Sequence, residues 1–534
     1  MKKLFYSLFV LSALLFSACK SSKKPDPGPN GPPATGSTLD KIKDSVYLYA
    51  KEDYLWYDKL PDYGTFNPRL FTAGSDIDAL TNELNAQSQY AINPATGMPY
   101  EYYADDPGQA KYSFIDDGTE AAALNGTKGD FGFAPFYNLV TDLRVKYVYP
   151  GSPAALQGIK RGYQITSING STNLTYDGPE VGGNSTNLNF VINAYSNSNT
   201  ISMTLKKPDG TTLTVTDMAV ADYTVNPVLY NNVYTVGSRK VGYIVFNSFT
   251  SDDNADPILK TVFSGFAAQG ITDLVVDLRY NGGGYVSTAE YLDNLIVPTA
   301  KDKTLMYNTY YNDILTNGKE VLLKNQWRKD PASGQDYNYG QFDYSVTGNA
   351  VNFDKTNANS NYSTAGINLN ISRVFFIVTG STASASELTI NNLRPVMDVQ
   401  FVGEKSYGKP VGFFDIDINK YQMYTPEFYV KNSAGQGDYY DGFTPGASGT
   451  AGLAAEDDVT KDFGDPTEGL LGHILNYVST GTYSISPQTT QSVPSKFGIF
   501  SAQVRHSAAI RMNLKQHVFS GMIRSKKQFK LKKK

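Results

Sequence analysis

The chain has 534 residues, 41% of them hydrophobic, which is enough for two to four domains with packed cores. Its formal net charge of −4 is unevenly spread: residues 1–24 hold five Lys and residues 496–534 hold eleven Lys or Arg, with no acid in either stretch, so residues 25–495 sit near −20. That sign argues against a nucleic-acid role for the body, since phosphate backbones need a basic face, and the single cysteine, Cys19, excludes an internal disulfide and a cysteine-based metal cluster.

Lys2 and Lys3 precede a 13-residue apolar run, Leu4 to Phe16. Spanning a bilayer takes about 20 residues, so the run suits a signal-peptide core and predicts a signal over residues 1–18. Ser17-Ala18-Cys19 resembles the lipobox of bacterial lipoproteins, with Phe16 a less usual residue three before the cysteine. The resemblance implies that Cys19 is diacylated and becomes the mature N-terminus. Residues 19–38, rich in Pro, Gly and Ser, cannot pack a core and predict an extended tether. The expected location is the envelope of a Gram-negative-type bacterium, lipid-anchored and facing the periplasm from the outer membrane.

Residues 39–110 predict a small helical domain. Leu39, Ile42, Val46 and Tyr49 recur at helical spacing, and Ser75 caps a second helix carrying Ile77, Leu80 and Leu84. The stretch 54–61, YLWYDKLP, reads as part of a helical cap without chemistry. Residues 111–220 predict a small β-rich module, with a strand through Leu143, Val145 and Tyr147, a short helix from Pro153 and a hairpin about Pro208-Asp209-Gly210.

From 221 to 480 the pattern turns α/β. Strands are predicted at 241–246, 274–278, 373–378 and 399–402, and helices from Asp256-Pro257, from Ser287 and from the end of GSTASASE (380–387). NGGGY (281–285) and SYGKPVGFF (406–414) read as loops, and 304–366 as irregular or hairpin-like. Residues 481–534 predict a basic, solvated and disordered tail.

The strand, small-residue turn and helix at 374–393 could expose the hydroxyl of Ser384 beside free N–H groups of the helix start. The same Ser384 to Glu387 stretch is also a capping box, which needs no chemistry. A nucleophilic serine needs a base, yet the three histidines all lie after residue 472. A buried lysine can serve, because desolvation disfavours its ammonium, and Lys409 stands among glycines and apolar residues.

Three motifs, DLRYNGGG (277–284), ASASE (383–387) and VGEKSYGKP (402–410), occur in the order and spacing of the C-terminal processing peptidases, the S41 family of serine peptidases, which this chain resembles over about residues 39–480. GDFGF (129–133) with SPAALQGIKRGYQITSING (152–170) is similar to the PDZ domain of such proteases, with Tyr163 where the family usually has Asp. The resemblance implies a multidomain α+β chain: a small N-terminal helical domain, a PDZ-like β domain and an α/β catalytic core of the ClpP/crotonase-like S41 type.

It further implies Ser384 as nucleophile, Lys409 as general base, and Ala385 and Gly283 N–H as oxyanion donors. Phe131, Gly132 and Phe133 would form the loop that holds a peptide carboxylate. Asp277 and Arg279 would brace the strand end, and Glu387 would cap its helix. The implied activity is a serine endopeptidase acting near loose C-termini of exported proteins. Polypeptides and, through the lipid, a membrane are its partners, with no nucleic acid, metal or cofactor. Phe413 departs from the Gln that many family members carry four residues after the lysine. That departure keeps one alternative open, a catalytically inactive PDZ-type peptide-binding lipoprotein; an acyl-thioester enzyme on a similar core is a second.

Overall fold

The structure is a computed structural model, and it describes residues 31–104, 106–329, 334–356, 362–484, 521–524 and 530–532. The expected signal over residues 1–18, Cys19, most of the expected tether and His506 and His517 lie outside the described residues.

Helix Thr38–Asp53 begins at Ser37, whose hydroxyl accepts the Asp40 N–H, and helix Asp76–Ser88 begins at the expected cap, Ser75. Their buried stripes, Ile42 with Val46 and Leu80 with Leu84, do not form a core of their own. They join the large apolar cluster of the α/β body, which also holds Leu259, Leu292 and Phe376. The N-terminal region keeps small clusters of its own, Tyr47 with Tyr63 and Phe66 and Ala50 with Tyr54 and Leu60, and buttresses the body through the shared stripes. Its apolar stripe told that it would be buried, not against what.

The β module has its own core, from Phe131 and Phe133 through Leu143 and Val145 to Met218. Its five strands are Phe133–Leu139, Asp142–Val148, Gln164–Ile168, Thr200–Lys206 and Thr212–Ala219, paired in that order, so Phe133–Leu139 is an edge. Its expected start at 111 is too early: Phe114–Asp116 pairs with Tyr421–Tyr424 of the body instead. Helix Thr186–Ser196, absent from the sequence reading, packs Leu188, Val191 and Ile192 into the module.

The body is a six-stranded sheet ordered Gly452–Ala454, Asp398–Gly403, Arg373–Val378, Asp273–Asp277, Arg239–Phe246 and Val228–Val236. All neighbours are parallel except the last pair. The central strands are buried on both faces, which accounts for their continuous apolar runs. The helix expected from Asp256 starts earlier, at Asp252, and carries Pro257 inside its second turn, ending at Gly270 with φ +64°. Two expected loops contain short strands, Gly283–Tyr285 and Val411–Gly412, and Leu305–Tyr311 pairs with Phe428–Asn432.

The disordered-tail expectation is corrected for eleven residues: 481–484, where Tyr483 stacks on Tyr477, and 521–524 with 530–532. Gly521–Ile523 is a strand, paired in parallel with Gly283–Tyr285, and Leu531 bridges to Phe342. The remainder of that segment from 485 lies outside the described residues. Composition, which suggested a solvated tail, reports average polarity and misses the apolar pair Met522-Ile523.

Candidate active site

Strand Arg373–Val378 runs into a turn of small residues before helix Ala385–Leu393. The turn is fixed from below. The Thr382 hydroxyl donates to the Leu278 carbonyl at 2.8 Å and accepts the Thr379 N–H at 2.9 Å. Ala383 N–H and the Ser386 hydroxyl both donate to the Asn281 carbonyl at 3.0 Å. So pinned, Ser384 adopts φ +58°, ψ −106°, a region a side chain rarely enters and one that marks strain held by its surroundings. The Ser384 Oγ is buried and has no hydrogen-bond partner among the described residues.

Lys409 comes from a different part of the chain, yet one carboxylate joins it to the serine turn. Glu387 Oε2 accepts the Ser384 N–H at 3.0 Å and the Lys409 N–H at 2.8 Å. Its Oε1 accepts the Gly408 N–H at 2.8 Å and the Ser406 hydroxyl at 2.6 Å. Glu387 thus does more than cap its helix: it knits nucleophile turn and lysine loop into one unit. Gly408, at φ +84°, is required where it stands, because a Cβ there would lie 2.4 Å from the Tyr440 carbonyl oxygen.

The Lys409 side chain is fully buried. Its Nζ lies 3.4 Å from the Tyr112 carbonyl oxygen and 3.9 Å from the centroid of the Phe413 ring. Burial pushes its pKa well below the ordinary lysine range. Carboxylates of Glu101, Glu387 and Glu427 oppose that shift, and the Lys111 cation reinforces it. Phe413, at the position where the family resemblance leads one to expect Gln, therefore sets the amine by its ring face rather than by a hydrogen bond.

The N-terminal buttress also reaches the site. Tyr54 donates to buried Glu101 at 2.7 Å, and Glu101 accepts the N–H groups of Tyr112 at 3.1 Å and Ser113 at 2.7 Å. Tyr112, so held, offers its carbonyl to Lys409 and donates its hydroxyl to the Gly408 carbonyl at 2.7 Å. No local signal marks Tyr112, whose partners Gly408 and Lys409 lie 296 and 297 residues away, or Glu101, which reaches the site only through it.

Of the two expected oxyanion donors, Ala385 is the first residue of its helix, so its N–H has no intrahelical acceptor. A Cβ built on Gly283 would sit 3.0 Å from the Ala385 nitrogen, which places the two residues side by side. Gly283, at φ +111°, instead donates its N–H to Asn281 Oδ1 at 2.9 Å. The expected free donor at Gly283 is thus engaged, a consequence of an Asn two residues earlier that folds back on its own turn.

Phe131 and Phe133 are buried, and the loop they flank starts the edge strand Phe133–Leu139. Its N–H at Gly132, however, donates to Asp130 Oδ1 at 2.7 Å, so a carboxylate of the chain itself holds that position. Asp130 also accepts the Tyr223 hydroxyl at 2.7 Å. A cavity of about 550 Å³ runs from Asp130 and Lys128 past Tyr149 and Tyr195 to Gly282 and Gly283, linking the module to the glycine turn.

Arg279 is buried among Asp277, Asp457 and Glu468 and braces the strand end as expected. Arg161, from the β module, shares Asp457 with it at 2.9 Å, which ties the module to the body. His473 lies on helix Gly469–Thr480, with Nδ1 2.8 Å from the Tyr483 carbonyl oxygen.

Residues 240–437 match the model of peptidase family S41. Over 267 residues the chain is 24% identical to a carboxyl-terminal-processing protease of Picosynechococcus, which covers 50% of this chain and 50% of that protein. The chain thus spans about half the length of the curated relative it matches. A solved Bacteroides fragilis structure assigned to the S41 proteases superposes with a TM-score of 0.54 at 23% identity, covering 82% of this chain and 97% of the other. That likeness is one of fold. With the family match, the sequence relative supports a serine-type peptidase.

Proposed function

We propose, from the S41 match and the geometry around Ser384, that the chain is a serine endopeptidase working through a Ser384–Lys409 pair. The observation that carries this reading is the shared carboxylate of Glu387, which holds the backbones of Ser384 and Lys409 on one oxygen.

In the proposed reaction neutral Lys409 takes the Ser384 proton as the Oγ attacks a peptide carbonyl carbon. The tetrahedral oxyanion is held by the Ala385 N–H and by Gly283 N–H, which must first leave Asn281 Oδ1. On collapse the Lys409 ammonium protonates the departing amine, leaving an acyl-Ser384. Water, deprotonated by Lys409, attacks the acyl carbon and releases the acid and the free serine. The nucleophile, the base and both oxyanion donors in this sequence come from the chain itself.

The substrates proposed are exported polypeptides with loose C-termini. The PDZ-like module would present such a terminus on Phe131, Gly132 and Phe133 once Asp130 yields the loop, and pass the chain along the cavity to the glycine turn. Cys19 would carry the lipid that anchors the protein on the periplasmic side of the outer membrane, with residues 19–38 as its tether.

The test incubates purified residues 25–534 with an unstructured protein substrate and reads new termini by mass spectrometry. New termini with wild type and none with Ser384→Ala are expected. Equal cutting by Ser384→Ala would overturn the assignment. So would failure of the wild type to cut even with its tail segment released as described below.

A further inference from the structure

A segment of the chain's own C-terminal region lies between the glycine turn and the lysine loop. Gly521–Ile523 pairs in parallel with Gly283–Tyr285, Gly521 opposite Gly283 and Ile523 opposite Tyr285, and the Gly521 N–H donates to the Gly282 carbonyl at 2.9 Å. On its other edge the Phe413 N–H donates to the Met522 carbonyl at 2.9 Å, and the Arg524 N–H to the Phe413 carbonyl at 3.0 Å. The segment is therefore the middle strand between the turn carrying the oxyanion glycine and the loop carrying the lysine. This is the way an extended peptide is captured by strand addition, with backbone bonds on both sides and side chains in pockets.

The side chains fit those pockets. The Gly521 carbonyl oxygen lies 2.2 Å from where a Gly283 Cβ would stand, so it shares that spot with the Ala385 nitrogen. Met522 is buried in the main core, and Ile523 packs with Val411, Phe413 and Tyr424. Arg524 is buried too, its guanidinium hydrogen-bonded to the Tyr311 hydroxyl, with the Glu290 carboxylate favouring its charge. A second anchor follows: Asp343 N–H donates to the Lys530 carbonyl at 2.7 Å, Lys532 N–H to the Gln341 carbonyl at 2.9 Å, and the Lys532 ammonium meets buried Glu320.

We propose that Gly521–Arg524 is an intramolecular ligand of the substrate cleft. It covers Ser384 until displaced, and the cleft selects extended peptides in which a small residue is followed by two apolar residues and a basic one. This rests on the peptidase reading above, since it names the ligand class of the same site. A tethered ligand competes at an effective concentration on the order of millimolar, so a free peptide must bind well below that to enter.

The test measures binding of a fluorescent peptide, Ser-Gly-Met-Ile-Arg-Ser, by anisotropy to the full chain carrying Ser384→Ala, so that no turnover is involved. Adding Met522→Asp with Ile523→Asp places two carboxylates where the segment is buried and should release it. The peptide should then bind at least about 10-fold tighter than to the parent. Arg524→Glu, a milder change, should act in the same direction, and a peptide with Glu in place of its Arg should bind about 10-fold weaker to the released protein. Trypsin should cut after Arg524 slowly in the parent and fast in the Met522→Asp, Ile523→Asp protein, which keeps that arginine.

Equal peptide affinity in parent and both variants would overturn the proposal, and so would equal trypsin rates. The peptidase reading fails separately: tail-dependent binding with no cleavage by any Ser384-containing protein overturns that reading and leaves the ligand assignment standing.

Discussion

Lys409→Met is expected to lower kcat against a protein substrate by about 10²–10⁴-fold, the range that a positioned general base contributes. Methionine keeps the unbranched stem that packs in the fully buried pocket and removes only the amine. Because Ser384 and Lys409 act as one unit, Ser384→Ala combined with Lys409→Met should lose little more than the worse single change. The pH dependence follows from the burial that pushes the lysine well below its ordinary range. The neutral amine is the working form, so wild-type kcat/KM should rise with pH through that lowered value and level off before the ordinary lysine range, near 10.5.

Stability gives the same group a second signature. Below the lowered value Lys409 is protonated in both folded and unfolded chains, and the full cost of the buried ammonium is present. Between that value and 10.5 the unfolded chain binds the extra proton, so stability rises with pH. Lys409→Met removes the cost at every pH. Its Tm advantage over wild type should therefore be largest at low pH and shrink as pH climbs through the window. A kcat/KM limb that does not move on Lys409→Met, or a Tm difference flat in pH, would separate Lys409 from the titration.

Glu387→Gln is the second change expected to be severe. The carboxylate accepts four donors, from Ser384, Ser406, Gly408 and Lys409, in a fully buried place. An amide has one accepting oxygen, and its NH₂ would face N–H groups that also donate. Leaving even one buried donor unpaired costs about 1–3 kcal/mol, and even with the NH₂ turned to the Ser406 hydroxyl, which can accept, the Gly408 N–H faces a second donor. The lysine loop should shift against the serine turn, and a misplacement of about 1 Å can cost on the order of 10²-fold in rate. The expected result is a Tm fall together with at least about a 10²-fold loss of kcat, with far-UV circular dichroism unchanged. Glu387→Gln with wild-type kcat would show that the carboxylate is a cap and nothing more.

How much of this was legible depended on distance along the chain. Strand Arg373–Val378 and the helix to Leu393 were found as expected, since an apolar run, a string of small residues and an S-x-x-E pattern are all local signals. The burial of Lys409 fits its short apolar, glycine-flanked loop, while its proposed role came from the motif match. The partners that give these residues their geometry were not legible. Glu387 reaches Lys409 22 residues on, and Tyr112 reaches Lys409 across 297. Nothing near Tyr112 in sequence says which loop its carbonyl will face.

Helix Thr186–Ser196 was missed because Asn and β-branched residues dilute its periodicity. The tail strand was missed because basic flanks outweighed the apolar pair at Met522 and Ile523. The engaged N–H groups of Gly283 and Gly132 belong to the same kind: each is taken by a side chain two residues earlier, a turn geometry that motif matching passes over.

The most direct measurement of the central claim is covalent labelling of the full chain with a fluorophosphonate, followed by peptide mapping across pH. The account predicts one adduct, on Ser384, forming faster in the tail-released Met522→Asp, Ile523→Asp protein. Its rate should climb with pH through the lowered Lys409 value and fall at least about 10²-fold in Lys409→Met. An adduct on another residue, or a Ser384 rate indifferent to Lys409→Met, would contradict it.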